Sequence, residues 1–364
     1  MVKLSTVRAA NAAFAEKTTK PFVAVVAGGT AGIGEAAVRE LAATFAGRGG
    51  PGGSAVHVHI VGRNQQAADK IIEDCSAVCP GGVFQFHKGD LSLLREVDRV
   101  CAGITQFEQQ DAEKRDAQAT VDFLVECQGV LSLTVEDNEE GLDKYDTLYY
   151  YSRMRFVDRL LPLLTASPDC GHVVSVLNAG VQASVVFDDL ALKNPRNQGM
   201  QTRFAHWIGL TNIFMEELAR RNSGRLSMIH WHPGYVSTGI ASASNFPWYL
   251  KVLLTYIVNP LCWCLWIPYE EVGQRILFMA SPTTFPARES KSIDATTRNV
   301  KGSETAVGID GEIGSGAYLV DKKDGSLGKE KKYDELRANG SADKIYQHTM
   351  AVFAEIEAGR AFKG

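Results

Sequence analysis

The chain has 364 residues, a formal net charge of −4 at pH 7 and a sequence pI of about 6.1. This charge balance argues against a nucleic-acid partner, because such proteins carry a marked positive excess. The seven scattered cysteines are an odd, unpaired set, which predicts reduced thiols and no metal site. The first 21 residues lack the continuous apolar core of a signal peptide, so we expect a cytoplasmic protein.

An apolar run followed by three glycines is the most informative feature of the N-terminal part. Residues 23–27 are all Val or Ala, and Gly28, Gly32 and Gly34 then precede a helical pattern over residues 35–45. Glycine lets the backbone turn sharply and approach a pyrophosphate, while the amides of a helix N-terminus favour its negative charge. The pattern predicts a strand, a phosphate-binding turn and a helix.

Strand patterns alternate with helical patterns along the rest of the chain. Further strands are predicted at residues 55–62, 83–87, 171–177, 226–230 and 316–321, with another beginning at residue 123. Helices are predicted over residues 269–280 and 333–358. Alternation of this kind predicts an α/β fold with a doubly wound parallel sheet. We expect a single domain with its core over about residues 20–280 and a C-terminal extension over about residues 283–364.

The Gly-x3-Gly-x-Gly spacing resembles that of the short-chain dehydrogenase/reductase superfamily, and the resemblance extends over about residues 20–278. The whole chain resembles a fungal branch associated with secondary metabolism. The resemblance implies a Rossmann-type fold and a nicotinamide cofactor. The implied cofactor contacts are Gly28, Thr30, Gly32, Ile33, Gly34, Arg63, Asp90, Leu91, Gly129, Pro233, Gly234 and Thr238.

Arg63 follows the second predicted strand, where the superfamily selects between NAD and NADP. Because a guanidinium pairs with a 2′-phosphate, we expect NADP(H), and a solvated turn residue is the alternative. Asp90 resembles the aspartate that contacts the adenine amino group, and it is also a candidate N-cap of the helix that begins near Leu93. Gly129 is interpreted as a conformational requirement of its turn. Glu126 replaces a family asparagine, and we expect its carboxylate to face substrate or solvent.

The superfamily's Tyr-x3-Lys pair is missing at its expected place. Counting back from the end of the helix at Phe214–Leu218 puts Met200 at the tyrosine and Phe204 at the lysine. Neither side chain can transfer a proton, so the catalytic acid has to come from elsewhere. His206, close by, is interpreted as a packing histidine.

Three residues are candidates for the missing catalytic role, namely Tyr149, Tyr151 and Asn178. Each tyrosine precedes an arginine by one helical turn, and a nearby guanidinium would lower the pKa of a phenol. Packing of the aromatic run is the alternative. Asn178 follows the fifth strand, where it would donate a hydrogen bond to a substrate carbonyl or serve as an ordinary turn residue.

A tryptophan-rich apolar segment over residues 246–268 is interrupted by Lys251, Asn259 and Pro260. It occupies the place of the superfamily's substrate lid, so we predict a lid over about residues 240–268. Peripheral membrane contact is the alternative, and a spanning helix is the least favoured interpretation.

These features together predict an NADP(H)-dependent oxidoreductase of secondary-metabolite biosynthesis, acting on a bulky apolar carbonyl or alcohol with a non-standard proton donor. The alternative is an isomerase, a cyclase or a catalytically silent cofactor-binding protein of the same fold. The sequence leaves homo-oligomer formation open.

Overall fold

Seven strands form the centre of the part of the chain that the structure describes. They are β1 (Phe22–Ala27), β2 (Val56–Gly62), β3 (Val83–Lys88), β4 (Phe123–Glu126), β5 (Gly171–Val176), β6 (Leu226–Trp231) and β7 (Ala317–Val320). They lie in the order β3-β2-β1-β4-β5-β6-β7, and every adjacent pair is parallel. The predicted doubly wound Rossmann-type sheet is therefore confirmed in this single α/β domain.

The computed structural model describes residues 2–48, 55–132, 134–179, 183–236, 244, 246–258, 261, 266–290, 305–322, 324–328, 331–338 and 340–364. Its first six helices are α1 (Leu4–Lys17), α2 (Gly32–Thr44), α3 (Gln65–Val78), α4 (Leu94–Lys114), α5 (Lys144–Asp146, then a π-helical turn at Thr147–Tyr151, then Ser152–Leu164) and α6 (Met200–Arg221). The remaining ones are α7 (Trp248–Leu253, then a π-helical turn at Leu254–Val258), α8 (Tyr269–Phe278), α9 (Lys331–Ala338) and α10 (Ser341–Glu357).

The centre of the sheet explains the apolar run at the start of the chain. Every residue of β1 is buried, because this strand lies between β2 and β4 with helices covering both faces. The chain winds toward β2 and β3 on one side of β1 and toward β4 on the other. Ligands bind at such a reversal, beyond the carboxyl ends of the strands.

The C-terminal part of the chain is packed into this domain. Strand β7 pairs with β6 and extends the sheet by one strand. The two predicted amphipathic helices appear as α9 and α10, whose buried Tyr333, Ile345 and Phe353 join the hydrophobic core beside α6. These contacts make the predicted extension part of the packed core.

The described cysteines Cys75, Cys79, Cys101, Cys127 and Cys170 are free thiols. Cys262 and Cys264 lie outside the described residues. Among the helices of the described chain, none combines the length and the apolar character needed to cross a bilayer.

Candidate active site

The turn between β1 and α2 has the geometry that its glycines predict. Gly28 and Gly32 have positive φ angles of 79° and 58°. A Cβ at Gly34 would overlap the Gly28 carbonyl oxygen, and one at Gly28 would lie 2.8 Å from the Gln128 amide nitrogen. The residue before α2 is Ala31, so no side chain caps this helix N-terminus. The loop therefore keeps an open backbone cradle that suits an anionic group.

This cradle opens into a cleft of about 290 Å³ at the carboxyl ends of the central strands. The predicted contacts that line the cleft are Gly28, Thr30, Gly32, Ile33, Arg63, Asp90, Leu91 and Gly129. Gly34 shapes the turn without lining the cleft. The sequence pattern and the switch point of the sheet thus converge on one site.

Arg63 lies at the junction of this cleft with a second one of about 280 Å³. Both clefts are lined by Arg63, Asp90, Val130 and Leu148. The Arg63 side chain is exposed, and within the described chain it forms no ion pair with a carboxylate. Its guanidinium can therefore bind an anion in the cleft without first breaking a salt bridge to a residue of the described chain.

Asp90 does not cap the helix that follows it. Its Oδ1 accepts hydrogen bonds from the Ser92 amide at 3.1 Å and the Ser92 hydroxyl at 2.8 Å. Glu140 caps α4 instead, because its carboxylate accepts from the Leu94 and Arg95 amides at 2.7 and 2.9 Å. The N-cap interpretation of Asp90 is wrong, since a carboxylate distant in sequence takes that position. Asp90 remains beside the cleft.

The other predicted glycine contacts differ in their geometry. Gly129 has no positive φ, and a Cβ there would lie 3.6 Å from the Tyr149 ring, an ordinary contact, so the predicted conformational requirement is wrong. Gly234 has a φ of 79° and lies against Ile267 and Lys322. Pro233 and Gly234 do not line the glycine-loop cleft, and Thr238 lies outside the described residues.

Tyr149 does not line the glycine-loop cleft, but it contacts the loop after β4, which does. Its hydroxyl donates a hydrogen bond to the Val130 carbonyl oxygen at 2.5 Å, and Val130 lines the cleft. Burial, reinforced by Asp146, raises the pKa of Tyr149 even though Arg153 opposes the shift. The expectation of a lowered phenol pKa is therefore wrong for this residue.

Tyr151 points to a different part of the molecule. Its hydroxyl lies 2.9 Å from His348 Nε2, and burial raises its pKa well above the ordinary value. Arg155, its expected partner, pairs with Asp98 at 2.6 Å and with Glu357 at 2.8 Å. The predicted guanidinium effect on Tyr151 is wrong, because these carboxylates bind Arg155, and Tyr151 does not line the cleft.

The predicted replacements of the catalytic pair lie next to Tyr149. Met200 begins α6 and is exposed, whereas Phe204 packs its ring 5.4 Å from the Tyr149 ring. His206 accepts a hydrogen bond from the Val186 amide at 3.0 Å and donates one to the Leu190 carbonyl oxygen at 3.1 Å. Burial lowers the pKa of His206 to about 4, which fits its predicted packing role.

Arg153 is a functional candidate whose position the sequence did not reveal. The side chain is fully buried beneath the loop that follows β4. Its guanidinium donates hydrogen bonds of 2.5–3.1 Å to the carbonyl oxygens of Glu126, Gln128, Leu148 and Val176 and to the Ser175 hydroxyl. Gln128 and Leu148 line the cleft, so the buried Arg153 holds the wall of the cleft in place from the side of the protein core.

Glu126 belongs to a row of polar side chains that crosses three strands. It lies opposite Ser175 on β5, which in turn lies opposite His230 on β6. The Glu126 side chain is buried, so the expectation that it faces substrate or solvent is wrong. Burial raises its pKa to about 8, and the neighbouring Arg153 only partly opposes this shift. Glu126 is therefore mostly a neutral acid at pH 7.

Asn178 is connected to the C-terminal helices through His230. The backbone N–H of Asn178 donates a hydrogen bond to His230 Nε2 at 3.2 Å. The proton of the His230 ring is therefore on Nδ1, which donates to Asn212 Oδ1 at 2.5 Å. The side-chain amide of Asn212 then donates a hydrogen bond to the Tyr333 hydroxyl at 2.5 Å. Burial, with the nearby Arg153 charge, lowers the pKa of His230 to about 3 and keeps this ring neutral. This chain of hydrogen bonds fixes the backbone at the end of β5.

The fold and the cleft define a Rossmann-type protein with a glycine-lined cradle that suits an anionic group, and comparisons with known proteins narrow the class of protein. The chain is 32% identical over 357 residues to the oxidoreductase andH of Emericella variicolor, and the match covers 98% of both chains. It is 31% identical over 360 residues to the short-chain dehydrogenase/reductase SAT2 of Stachybotrys chartarum, again over 98% of both chains. No protein-family model matches the chain.

Among solved structures, the fold is similar to that of an actinorhodin polyketide ketoreductase variant crystallised with NADPH. The TM-score is 0.50 and the identity 16%, with 72% of this chain and 91% of that chain covered. At this identity the similarity concerns the fold alone. The relatives establish the family: the chain belongs to the short-chain dehydrogenase/reductase superfamily and is an oxidoreductase.

Proposed function

We propose that the protein is an NADP(H)-dependent oxidoreductase that acts on a bulky apolar carbonyl or alcohol in secondary-metabolite biosynthesis. The observation that carries this proposal is the glycine cradle with the exposed Arg63 guanidinium at the edge of the same cleft. The cradle would hold the pyrophosphate, and Arg63 would bind the 2′-phosphate. When bound, the nicotinamide supplies the hydride acceptor or donor.

Replacement of Arg63 by Ala tests the cofactor preference. We expect wild-type protein to bind NADPH more tightly than NADH, and Arg63→Ala to lose roughly 10- to 100-fold of its NADPH affinity, because a charge-assisted pair contributes about 1.5–3 kcal/mol. NADH affinity should change little. Both affinities are measured by calorimetric titration, with Arg360→Ala, an exposed arginine paired with Glu355, as the control. Equal NADPH and NADH affinities in wild type would contradict the assignment.

The Tyr149 phenol, which contacts the cleft wall at Val130, is our preferred proton donor. Its hydroxyl donates a hydrogen bond to the Val130 carbonyl in the cleft wall, and a phenol carries its proton at neutral pH. A donor of this kind gives its proton to the substrate oxygen as hydride reaches the carbonyl carbon. Asn178 would orient that carbonyl, consistent with its place at the carboxyl end of β5.

Removal of this phenol is expected to reduce turnover. Tyr149→Phe should lower kcat at least roughly tenfold and leave NADPH affinity nearly unchanged, because only the hydroxyl is lost. Tyr151→Phe is the matched control, since that hydroxyl is bonded to His348. Asn178→Ala tests the carbonyl-orienting role in the same assay. Full activity in all three variants would mean that water or the substrate itself supplies the transferred proton.

A non-redox function is the second candidate, and the residues beside Tyr149 favour it. Met200 and Phe204 provide no acid or base, and the Tyr149 hydroxyl is already hydrogen-bonded to a backbone carbonyl. An isomerase, a cyclase or a silent cofactor-binding protein would use the cleft to position a molecule without hydride transfer. Measurable NADPH binding without NADPH consumption, across a panel of apolar carbonyls, would favour this candidate.

Helix α7 lies within the segment that we propose as a lid over the apolar substrate. Its Trp248 and Tyr256 side chains are 77% and 73% exposed, so this apolar surface is available to a ligand. Trp266 is half-buried beside Tyr235, whereas Trp263 lies outside the described residues. Peripheral membrane contact is the alternative for the same surface.

Polar replacement of the exposed aromatics distinguishes these roles. The double variant Trp248→Ser/Tyr256→Ser should raise the substrate KM several-fold and leave NADPH affinity unchanged, because the cradle uses other segments. Steady-state kinetics and co-sedimentation with vesicles are measured together. Wild-type binding to vesicles that the double variant loses, with an unchanged KM, would replace the lid with a membrane contact.

A further inference from the structure

A buried cluster of imidazole and carboxylate groups connects β2 to α4. His57 and His59 are separated by one residue on β2, so both side chains lie on the same face of the sheet. Glu108 and Asp111 lie one turn apart on α4, which covers that face. None of these four residues lines the glycine-loop cleft. The cluster is therefore separate from the proposed cofactor site.

The distances within the cluster are short enough for shared coordination. Glu108 Oε1 lies 2.9 Å from His57 Nδ1 and 2.8 Å from His59 Nε2. Asp111 Oδ2 lies 3.9 Å from His57 Nε2. Three possible ligand atoms, one each from His57, Glu108 and Asp111, all lie within 4.8 Å of one another. A tetrahedral zinc ion with bonds of about 2.0–2.1 Å separates its ligand atoms by roughly 3.3–3.5 Å, so small side-chain shifts would complete the geometry.

The environment of Glu108 makes a cation at this position favourable. The carboxylate is buried, and within the described chain its hydrogen-bond partners include the imidazoles of His57 and His59. The nearby Arg115 guanidinium pairs with Asp111 at 2.7 Å instead. A buried carboxylate needs a compensating positive charge, and a divalent ion would provide it directly.

The surroundings also contain the supporting features of a metal site. His59 Nδ1 lies 2.9 Å from His87 Nε2, which orients the His59 ring, and the Phe107 ring packs at a steep angle against both β2 imidazoles. Such outer contacts fix the orientation of metal-binding groups. Asp111 is partly exposed and gives an ion a route from solvent.

Although the cysteine pattern predicts no metal site, we propose that His57, Glu108 and Asp111 bind a divalent transition-metal ion of the zinc class, with His59 orienting Glu108. Imidazole and carboxylate ligands suit zinc. The ion would hold β2 against α4, so its role is structural. This site lies outside the proposed redox chemistry, and the two proposals can fail independently.

The test measures zinc binding by the full-length protein after treatment with a chelator. Titration with ZnCl2, followed by calorimetry, should show one equivalent bound and an increase in the thermal midpoint. Asp111→Asn, a partly exposed and conservative change, should weaken zinc binding at least tenfold, and His57→Gln should abolish it. Glu113→Gln on the exposed face of α4 is the matched control and should bind like wild type.

Cobalt substitution supplies an independent readout. Co2+ bound by nitrogen and oxygen ligands gives visible absorption bands, which should appear in wild type and Glu113→Gln and be lost in Asp111→Asn. Absence of zinc binding by folded wild-type protein would overturn the proposal and leave a hydrogen-bonded cluster only. Zinc binding that persists unchanged in both Asp111→Asn and His57→Gln would place the ion elsewhere and would also overturn it.

Discussion

The Gly34→Ala variant is expected to lose NADPH affinity by about two orders of magnitude. A Cβ at this position would overlap the Gly28 carbonyl oxygen, and neither group belongs to a flexible side chain that could move aside. To relieve the overlap, the glycine turn has to shift relative to α2, which costs about 1–3 kcal/mol or more. The cradle would then no longer present its amides to the pyrophosphate.

Gly81→Ala is the matched control for this substitution. The nearest atom to a Cβ at Gly81 is the Arg48 carbonyl oxygen at 3.6 Å, an ordinary contact distance. NADPH affinity is measured by calorimetric titration, and circular dichroism establishes that each variant is folded. Unchanged affinity in folded Gly34→Ala would contradict the placement of the pyrophosphate in this turn.

Replacement of Arg153 by Met is expected to destabilise the fold by about 3–5 kcal/mol. Methionine retains much of the apolar volume but provides no donor. The four carbonyl oxygens and the Ser175 hydroxyl now bonded to the guanidinium would remain buried without this partner.

The free energy of unfolding of this variant is measured by urea denaturation. Arg159→Met is the control, because Arg159 is partly exposed on the same helix and pairs with Asp98 and Glu357. It should cost less than about 1 kcal/mol. If Arg153→Met were as stable as Arg159→Met, the guanidinium would not support the wall of the cleft.

Local sequence pattern was sufficient to predict the sheet and the glycine turn. The apolar run at residues 23–27 and the glycines after it have steric requirements that depend on neighbours close in the chain. Alternating strand and helix patterns likewise predicted every strand within a few residues of its bounds. The cleft follows from the topology, because the switch point at β1 and β4 lies beside that turn.

The side-chain partners inside the domain could not be predicted in the same way. Arg153 was expected beside a phenol, but its guanidinium binds carbonyl oxygens at the ends of β4 and β5, about 20 residues or more away in sequence. Glu126 faces this guanidinium because the register of β4 turns it into the core. The predicted pairing of Tyr149 and Tyr151 with arginines one turn later assumed regular α-helical spacing. The π-helical turn in α5 changes that spacing. Such partners depend on tertiary packing.

The central claim is that this cleft binds NADP(H) and that the protein uses it for redox chemistry. Its most direct test is NADPH absorbance, followed with wild-type protein and a panel of bulky apolar ketones and aldehydes. We expect saturable NADPH binding and substrate-dependent NADPH consumption, both strongly reduced in Gly34→Ala. Saturable binding without consumption for any carbonyl would contradict the oxidoreductase assignment, and absence of NADPH binding would contradict the cofactor site itself.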